Sequence, residues 1–332
     1  MVSWMLTRTS VFWVALFLVA IVVIFAFATD GVYLRFTNFK SMATNASVLI
    51  IVSIGMTYLL GAGELDLSVG ANIVVAQIVS AKLIVGLSGT TAEVSSRVYP
   101  NLALGLTVGF AAALLVGTLI GVVNGLLVTK LRVNSFIVTL GMLGVLQGMA
   151  IGLTGGVNIQ YIPRQLQSEF AALELFDIIP ALVIVMALVA GVGGIVLKRT
   201  RYGLRTVALG SDRQAALRAG LEPDRHIVSL FALVGFCCGI AGLLDVARFA
   251  ATNLGGHALT ALSSITAVVL GGTSLFGGAA TIVGTVLGAF IPVTLQTGLI
   301  IIATHPAWQL AVTGALLITA VSLDQVRRRR NL

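Results

Sequence analysis

Residues able to do chemistry are sparse in this chain of 332 residues, and most of them are neutral. Thr57, Asn72, Asn124, Thr139 and Gln147 lie inside long apolar segments, as do Ser53, Gln77, Ser264, Thr266 and Gln296. A polar group at membrane depth is costly unless it pairs or lines water. A path lined by such amides and hydroxyls suits an uncharged, polyhydroxylated solute, so the first five are candidate solute-path residues. Ionisable chemistry has little to work with. His226, His257 and His305 show no metal-ligand spacing. The adjacent Cys237 and Cys238 point about 100° apart on a helix and read as packing residues. Asp245 has Arg248 one helical turn on as an ion-pair partner. No Gly-x-x-x-x-Gly-Lys-Ser/Thr loop cradles a phosphate, and no nucleophile–base constellation occurs. The expectation is a chain without catalytic residues, metal or cofactor of its own. If the chain moves a solute uphill, the fuel is consumed on another chain.

The elements that position these residues follow from composition. Hydrophobic residues make up 58% of the chain and charged ones 10%, against about 45–50% and 25% in soluble domains. Mean hydropathy is +1.06. A net charge of +8 would suggest nucleic acid in a soluble protein. Here the charges sit in short clusters between apolar blocks, which is how membrane orientation signals look. The fold class is therefore an all-α polytopic membrane protein, a single transmembrane domain over residues 1–332. Apolar segments fall near 11–28, 42–61, 67–87, 102–128, 134–153, 178–197, 227–247, 258–271, 279–302 and 307–323. At about 20 residues per span this makes about ten, the eighth short and rich in Ser, Thr and Gly. With both termini inside, cytoplasmic segments hold Arg8, Lys130, Arg132, seven basic residues from Lys198 to Arg225, and Arg327 to Arg330. These are 14 of the 20 lysines and arginines, so the orientation is N-in and C-in. The longest cytoplasmic segment, 198–226, is the one able to dock a sizeable partner.

Glycines four apart mark the helices as close-packing: Gly105-Gly109, Gly117-Gly121-Gly125, Gly144-Gly148, Gly235-Gly239 and Gly284-Gly288. Two turns look alike at an offset of 208 residues. Gly63-Glu64-Leu65-Asp66-Leu67-Ser68-Val69-Gly70 opens the third apolar segment; Gly271-Gly272-Thr273-Ser274-Leu275-Phe276-Gly277-Gly278 opens the ninth. Asp66 and Ser68 are expected to cap the helix that follows. Glu64 and Asp66 are the carboxylates nearest a span, too few and too peripheral for a carrier that binds a coupling ion.

At these residues the chain resembles a known family. Asp66-Leu67-Ser68-Val69-Gly70 is similar to the Gly-Ile-Asp-Leu-Ser-Val-Gly signature of ribose-type permeases of ATP-binding-cassette importers. Phe136 to Gly141, Leu153 to Gly156, Thr200 to Gly203, Ala208 to Gly210 and Gly271 to Gly278 resemble further motifs of that family, in order, Ser274 and Gly278 falling in the last. Two positions depart: Glu64 stands where the family has glycine, and Gln214 where it has glutamate. The resemblance implies a vitamin-B12-importer-like architecture in the bacterial cytoplasmic (inner) membrane, surrounded by lipid. It implies a second copy or related permease, cytoplasmic ATPase subunits, and a periplasmic or lipid-anchored solute-binding protein, with no nucleic acid. Monosaccharides lead the solutes it implies; autoinducer-2, a nucleoside or a branched-chain amino acid are alternatives, and a self-sufficient secondary carrier or a membrane-embedded enzyme or scaffold are rivals of another class. ATPase coupling would fall on Arg213, Gln214, Ala215, Ala216, Leu217, Arg218 and Gly220. That stretch reads as a short helix capped by Asp212 and ended by Gly220, with Ala215, Ala216 and Leu217 forming an apolar face.

Overall fold

The computed structural model describes residues 2–329, so Arg330 of the C-terminal basic cluster lies outside the described residues. Among the described residues thirteen α-helices carry the chain. They are α1 (Val2–Ala28), α2 (Phe36–Gly61), α3 (Val69–Ser88), α4 (Thr91–Ser95), α5 (Leu102–Lys130), α6 (Ser135–Thr154) and α7 (Ala181–Arg199). After them come α8 (Arg201–Ser211), α9 (Arg213–Arg218), α10 (Pro223–Phe249), α11 (Thr260–Leu270), α12 (Ile282–Ile301) and α13 (Pro306–Arg329). A two-stranded antiparallel hairpin, Glu174–Leu175 with Ile179–Pro180, precedes α7. Among the described residues eight helices are long and apolar enough to cross a membrane. Each of the ten expected segments is helical, and the eighth is the eleven-residue α11. Large apolar side chains such as Trp13, Phe27, Leu115 and Ile195 face outward, which only a lipid surrounding would tolerate in such number.

The chain divides into two compact units. One comprises residues 1–64, 185–223 and 262–332; the other comprises 65–184 and 224–261. Both units are built from stretches that alternate along the sequence, where the sequence alone suggested one domain.

In the first unit α2 runs beside α12. Thr57 and Thr285 hydroxyls meet at 2.7 Å, and Ser53 donates to Ser264 at 3.1 Å. Phe25 of α1 lies over Gly298 of α12, where any side chain would collide with the ring. In the second unit α3 is almost wholly buried. The glycine ridge of α5 meets α3 at Gly105 and Gly109 and meets α10 at Gly117, Gly121 and Gly125. A β-carbon on Gly121 would sit 2.1 Å from the Phe231 carbonyl oxygen, and one on Gly235 2.1 Å from that of Gly117. Val75, Ile78, Leu146 and Ala150 close the α3–α6 seam as a buried apolar cluster.

Candidate functional site

The Asp66 turn, in the second unit, is built by its own side chains. Asp66 Oδ1 accepts from the Ser68 amide at 2.7 Å and from the Ser68 hydroxyl at 2.6 Å. Asn124 of α5 then donates to Ser68 Oγ at 2.9 Å and to Asp66 Oδ2 at 3.3 Å. Burial pushes the Asp66 carboxyl up from the ordinary range, and the bonds from Ser68 and Asn124 hold it down against that push. Ser68 occupies the N-cap position of α3, but its side chain makes no cap bond, because the hydroxyl is turned back to Asp66. The expected capping role is thus replaced by a closed side-chain turn.

The two similar turns fold differently. Gly70 lies inside α3, where its missing β-carbon admits the His257 carbonyl oxygen. Gly278 sits in a loop at φ +83°, donating to the Gly61 carbonyl oxygen at 3.0 Å. Ser274 braces its own turn, accepting from the Phe276 amide at 3.2 Å.

Of the candidate solute-path residues, four make hydrogen bonds inside the protein, although the buried Asn72 Oδ1 and Asn124 Oδ1 are left without a partner. Thr57 pairs with Thr285; Asn72 donates to the Gly117 carbonyl; Asn124 holds the Asp66 turn; Thr139 accepts from the Leu67 amide at 3.1 Å. All four are fully buried. Gln147 differs. It is exposed on α6 and lines a cavity of about 440 Å³ whose walls include Gly70, Val74, Leu146, Ala150 and His257. The wall is mainly apolar, with that one amide available, an arrangement that holds a polar solute weakly.

Sequence reasoning missed the polar cluster beside this cavity. Asp245 Oδ2 lies 2.6 Å from His257 Nε2 and accepts from Gln77 Nε2 at 3.1 Å. Gln77 Oε1 accepts from the Asn253 amide at 3.1 Å, and His257 Nδ1 faces Thr260 at 3.2 Å. His257, 12 residues on, is thus a close partner of Asp245 that the sequence did not show, while the Asp245 charge also acts on Arg248 one turn away, whose guanidinium lies over the Phe249 ring. In the sequence only Gly70 marked the place, a glycine whose missing β-carbon lets the His257 backbone approach α3.

The segment 198–226 belongs to the first unit up to residue 223 and holds two helices. Asp212 Oδ1 caps α9 as expected, accepting from the Gln214 and Ala215 amides at 2.9 Å each. Gly220, at φ +79°, ends it: Gly220 N–H donates to the Leu217 carbonyl and Leu221 N–H to that of Ala216. The expected apolar face needs one correction. Ala216 is buried, so the exposed surface of α9 is carried by Ala215 and Leu217 with Arg213, Gln214 and Arg218. The strongly amphipathic α8 precedes α9, with Gly203, Thr206 and Leu209 buried.

Comparison with known proteins decides the family. The family described as "Branched-chain amino acid transport system / permease component" matches residues 38–321. The chain belongs to it. The permease is 29% identical over 331 residues to the galactose/methyl galactoside import permease protein of Haemophilus influenzae, covering 97% of this chain and 95% of that one. It is 31% identical to the D-allose transport system permease protein of Escherichia coli, covering 93% and 90%. It is also 31% identical to the autoinducer 2 import system permease protein of Yersinia pseudotuberculosis, covering 92% and 83%. No solved structure matches. The permease is thus a multi-pass membrane protein, and the enzyme readings of the sequence fall away with that assignment.

Proposed function

We infer that this permease is the membrane-spanning subunit of an ATP-driven importer for a small neutral polar solute, a monosaccharide first among them. The observation that carries the reading is likeness along nearly the whole chain to import permeases whose names specify galactose and allose. The structure supports it through neutral chemistry: the cavity beside α6 presents an amide and no free carboxylate. In this reading ATP and Mg act on cytoplasmic ATPase subunits docked at α9, and a binding protein delivers solute outside. A second permease copy, or a related permease, completes the path. The chain sits N-in and C-in in a bacterial inner membrane.

The Asp245–His257 pair favours one other reading, a secondary carrier coupled to protons, because a buried carboxylate–histidine pair is what such carriers use. The pair is already satisfied by Gln77 and Thr260, so the importer reading stands ahead of it. Uptake of radiolabelled D-galactose, D-allose and D-xylose into cells lacking their own carriers tests both. Uptake that needs the neighbouring ATPase and binding-protein genes supports the importer. Uptake without them, abolished by a protonophore, sinks it.

A further inference from the structure

The end of α2 and the α8–α9 segment are joined by a ladder within one unit. Tyr58 and Tyr202 rings lie 6.0 Å apart between centroids. The Thr206 methyl is 3.6 Å from where a Gly61 β-carbon would be. Gly210 sits against the Gly61 carbonyl so closely that a β-carbon there would be 2.1 Å from the oxygen. Arg213, the first residue of α9, reaches Glu64 Oε1 at 3.6 Å. Residues 202, 206 and 210 of α8 repeat at helical spacing, as do 58 and 61 of α2, so those contacts recur along a shared line, and Arg213 and Glu64 meet just beyond the ends of the two helices.

The last rung is held from both sides. Gly63, at φ +81°, ends α2 with Glu64 N–H donating to the Leu59 carbonyl at 3.1 Å and Gly63 N–H to that of Leu60 at 2.8 Å. This helix-ending turn fixes where Glu64 starts. Asp212 and Gly220 fix α9 at its two ends. Glu64 lies at the C-terminal end of α2, where the helix dipole disfavours an acid, and its side chain is only 13% exposed. An acid there works against its own helix, and the Arg213 guanidinium compensates it.

We propose that Glu64 is a positioning residue for coupling: its pairing with Arg213 locks α9 to α2, so that force on α9 is delivered to α2 and, through Thr57–Thr285, to α12. The proposal rests on the importer reading, and it gives the departure at Glu64 a role. The ladder also explains why the segment clusters with α2 and not with α10, which follows it directly in the chain.

The test uses the full-length permease with two readouts. Cys237 and Cys238 are buried, so a spin label enters at an exposed Leu217→Cys on α9. In nanodiscs of bacterial phospholipid, Glu64→Gln and Arg213→Gln should each lower the immobile fraction of that label about three- to fivefold, the reach of one such ion pair. The double variant Glu64→Arg with Arg213→Glu should restore it, because each charge then sits at the helix end that favours it. In cells carrying the neighbouring ATPase and binding protein, the same single variants should lower radiolabelled sugar taken up per ATP hydrolysed, with the double variant recovering it. An immobile label in both single variants overturns the pairing. Mobile labels with wild-type uptake per ATP overturn the coupling role. Absence of ATP-dependent uptake in the wild type overturns the importer reading and the coupling role together, while the label readout still decides whether the pair positions α9.

Discussion

The α5 and α6 helices carry glycine at similar helical spacing, and the structure uses them in opposite ways. On α5, β-carbons added at Gly105, Gly109, Gly117, Gly121 and Gly125 would all collide with neighbours at under 3 Å. On α6, those added at Gly141, Gly144, Gly148 and Gly152 would meet nothing within 4 Å. The α6 surface around them is apolar, with Ile137, Leu140, Val145 and Met149 exposed. A small-residue face therefore states that a backbone can come close, and the fold alone states which backbone does. The α5 face is spent inside the chain; the α6 face is available to whatever lies outside it.

The largest effect should come from filling the closed face. Gly121→Leu or Gly235→Leu places a side chain into a backbone carbonyl, a loss at or above about 3 kcal/mol, and should leave no monodisperse permease on size exclusion in mild detergent. A well-behaved variant with the wild-type melting temperature would show that α5 and α10 are not in contact. Next comes Asn124→Ala, which removes the donor to Ser68 and Asp66 at the end of the α3–α5 seam. Stranding those buried acceptors costs about 1–3 kcal/mol, read as a lower denaturation midpoint with the oligomeric state unchanged.

A smaller, pH-dependent effect belongs to Asp66. Its carboxyl titrates higher folded than unfolded, so its contribution is complete below the unfolded pKa and is lost as pH rises through the folded one. Relative to wild type, Asp66→Asn should lose that decline, so the gap between their melting temperatures changes with pH above about 4, near the ordinary carboxylate value. A gap independent of pH would show that Asp66 is not the titrating group. The smallest effect is expected on the open face. Gly144→Leu should leave the stability of the isolated chain within about 0.5 kcal/mol of wild type, as surface substitutions do, while altering cross-linking between copies. Destabilisation comparable with that of Gly121→Leu would mean that the face is closed within the chain.

Much of this protein was legible one segment at a time. Each expected apolar segment became a helix because length and hydropathy in lipid leave the backbone no other way to satisfy its hydrogen bonds. The α9 helix was readable at residue level, since Asp212 and Gly220 act on amides and carbonyls within four positions. The solute-path candidates were less legible. Thr57, Asn72, Asn124 and Thr139 were chosen for polarity at depth, but polarity at depth equally marks a helix–helix bond, and their partners lie 45 to 228 residues away.

What the sequence determined by itself was therefore local: all-α class, membrane residence, segment boundaries and the caps of α9. Each rests on hydrophobicity or on bonds that close within a turn or two. Only the tertiary structure decided which glycine face is filled, that Asp245 meets His257 across a returning loop, and that Glu64 faces Arg213. Those outcomes depend on which distant backbones approach one another, and residue types state only that approach is permitted. Glu64 shows the difference most plainly: in sequence an acid beside a helix end, in the fold the anchor of a ladder along α2.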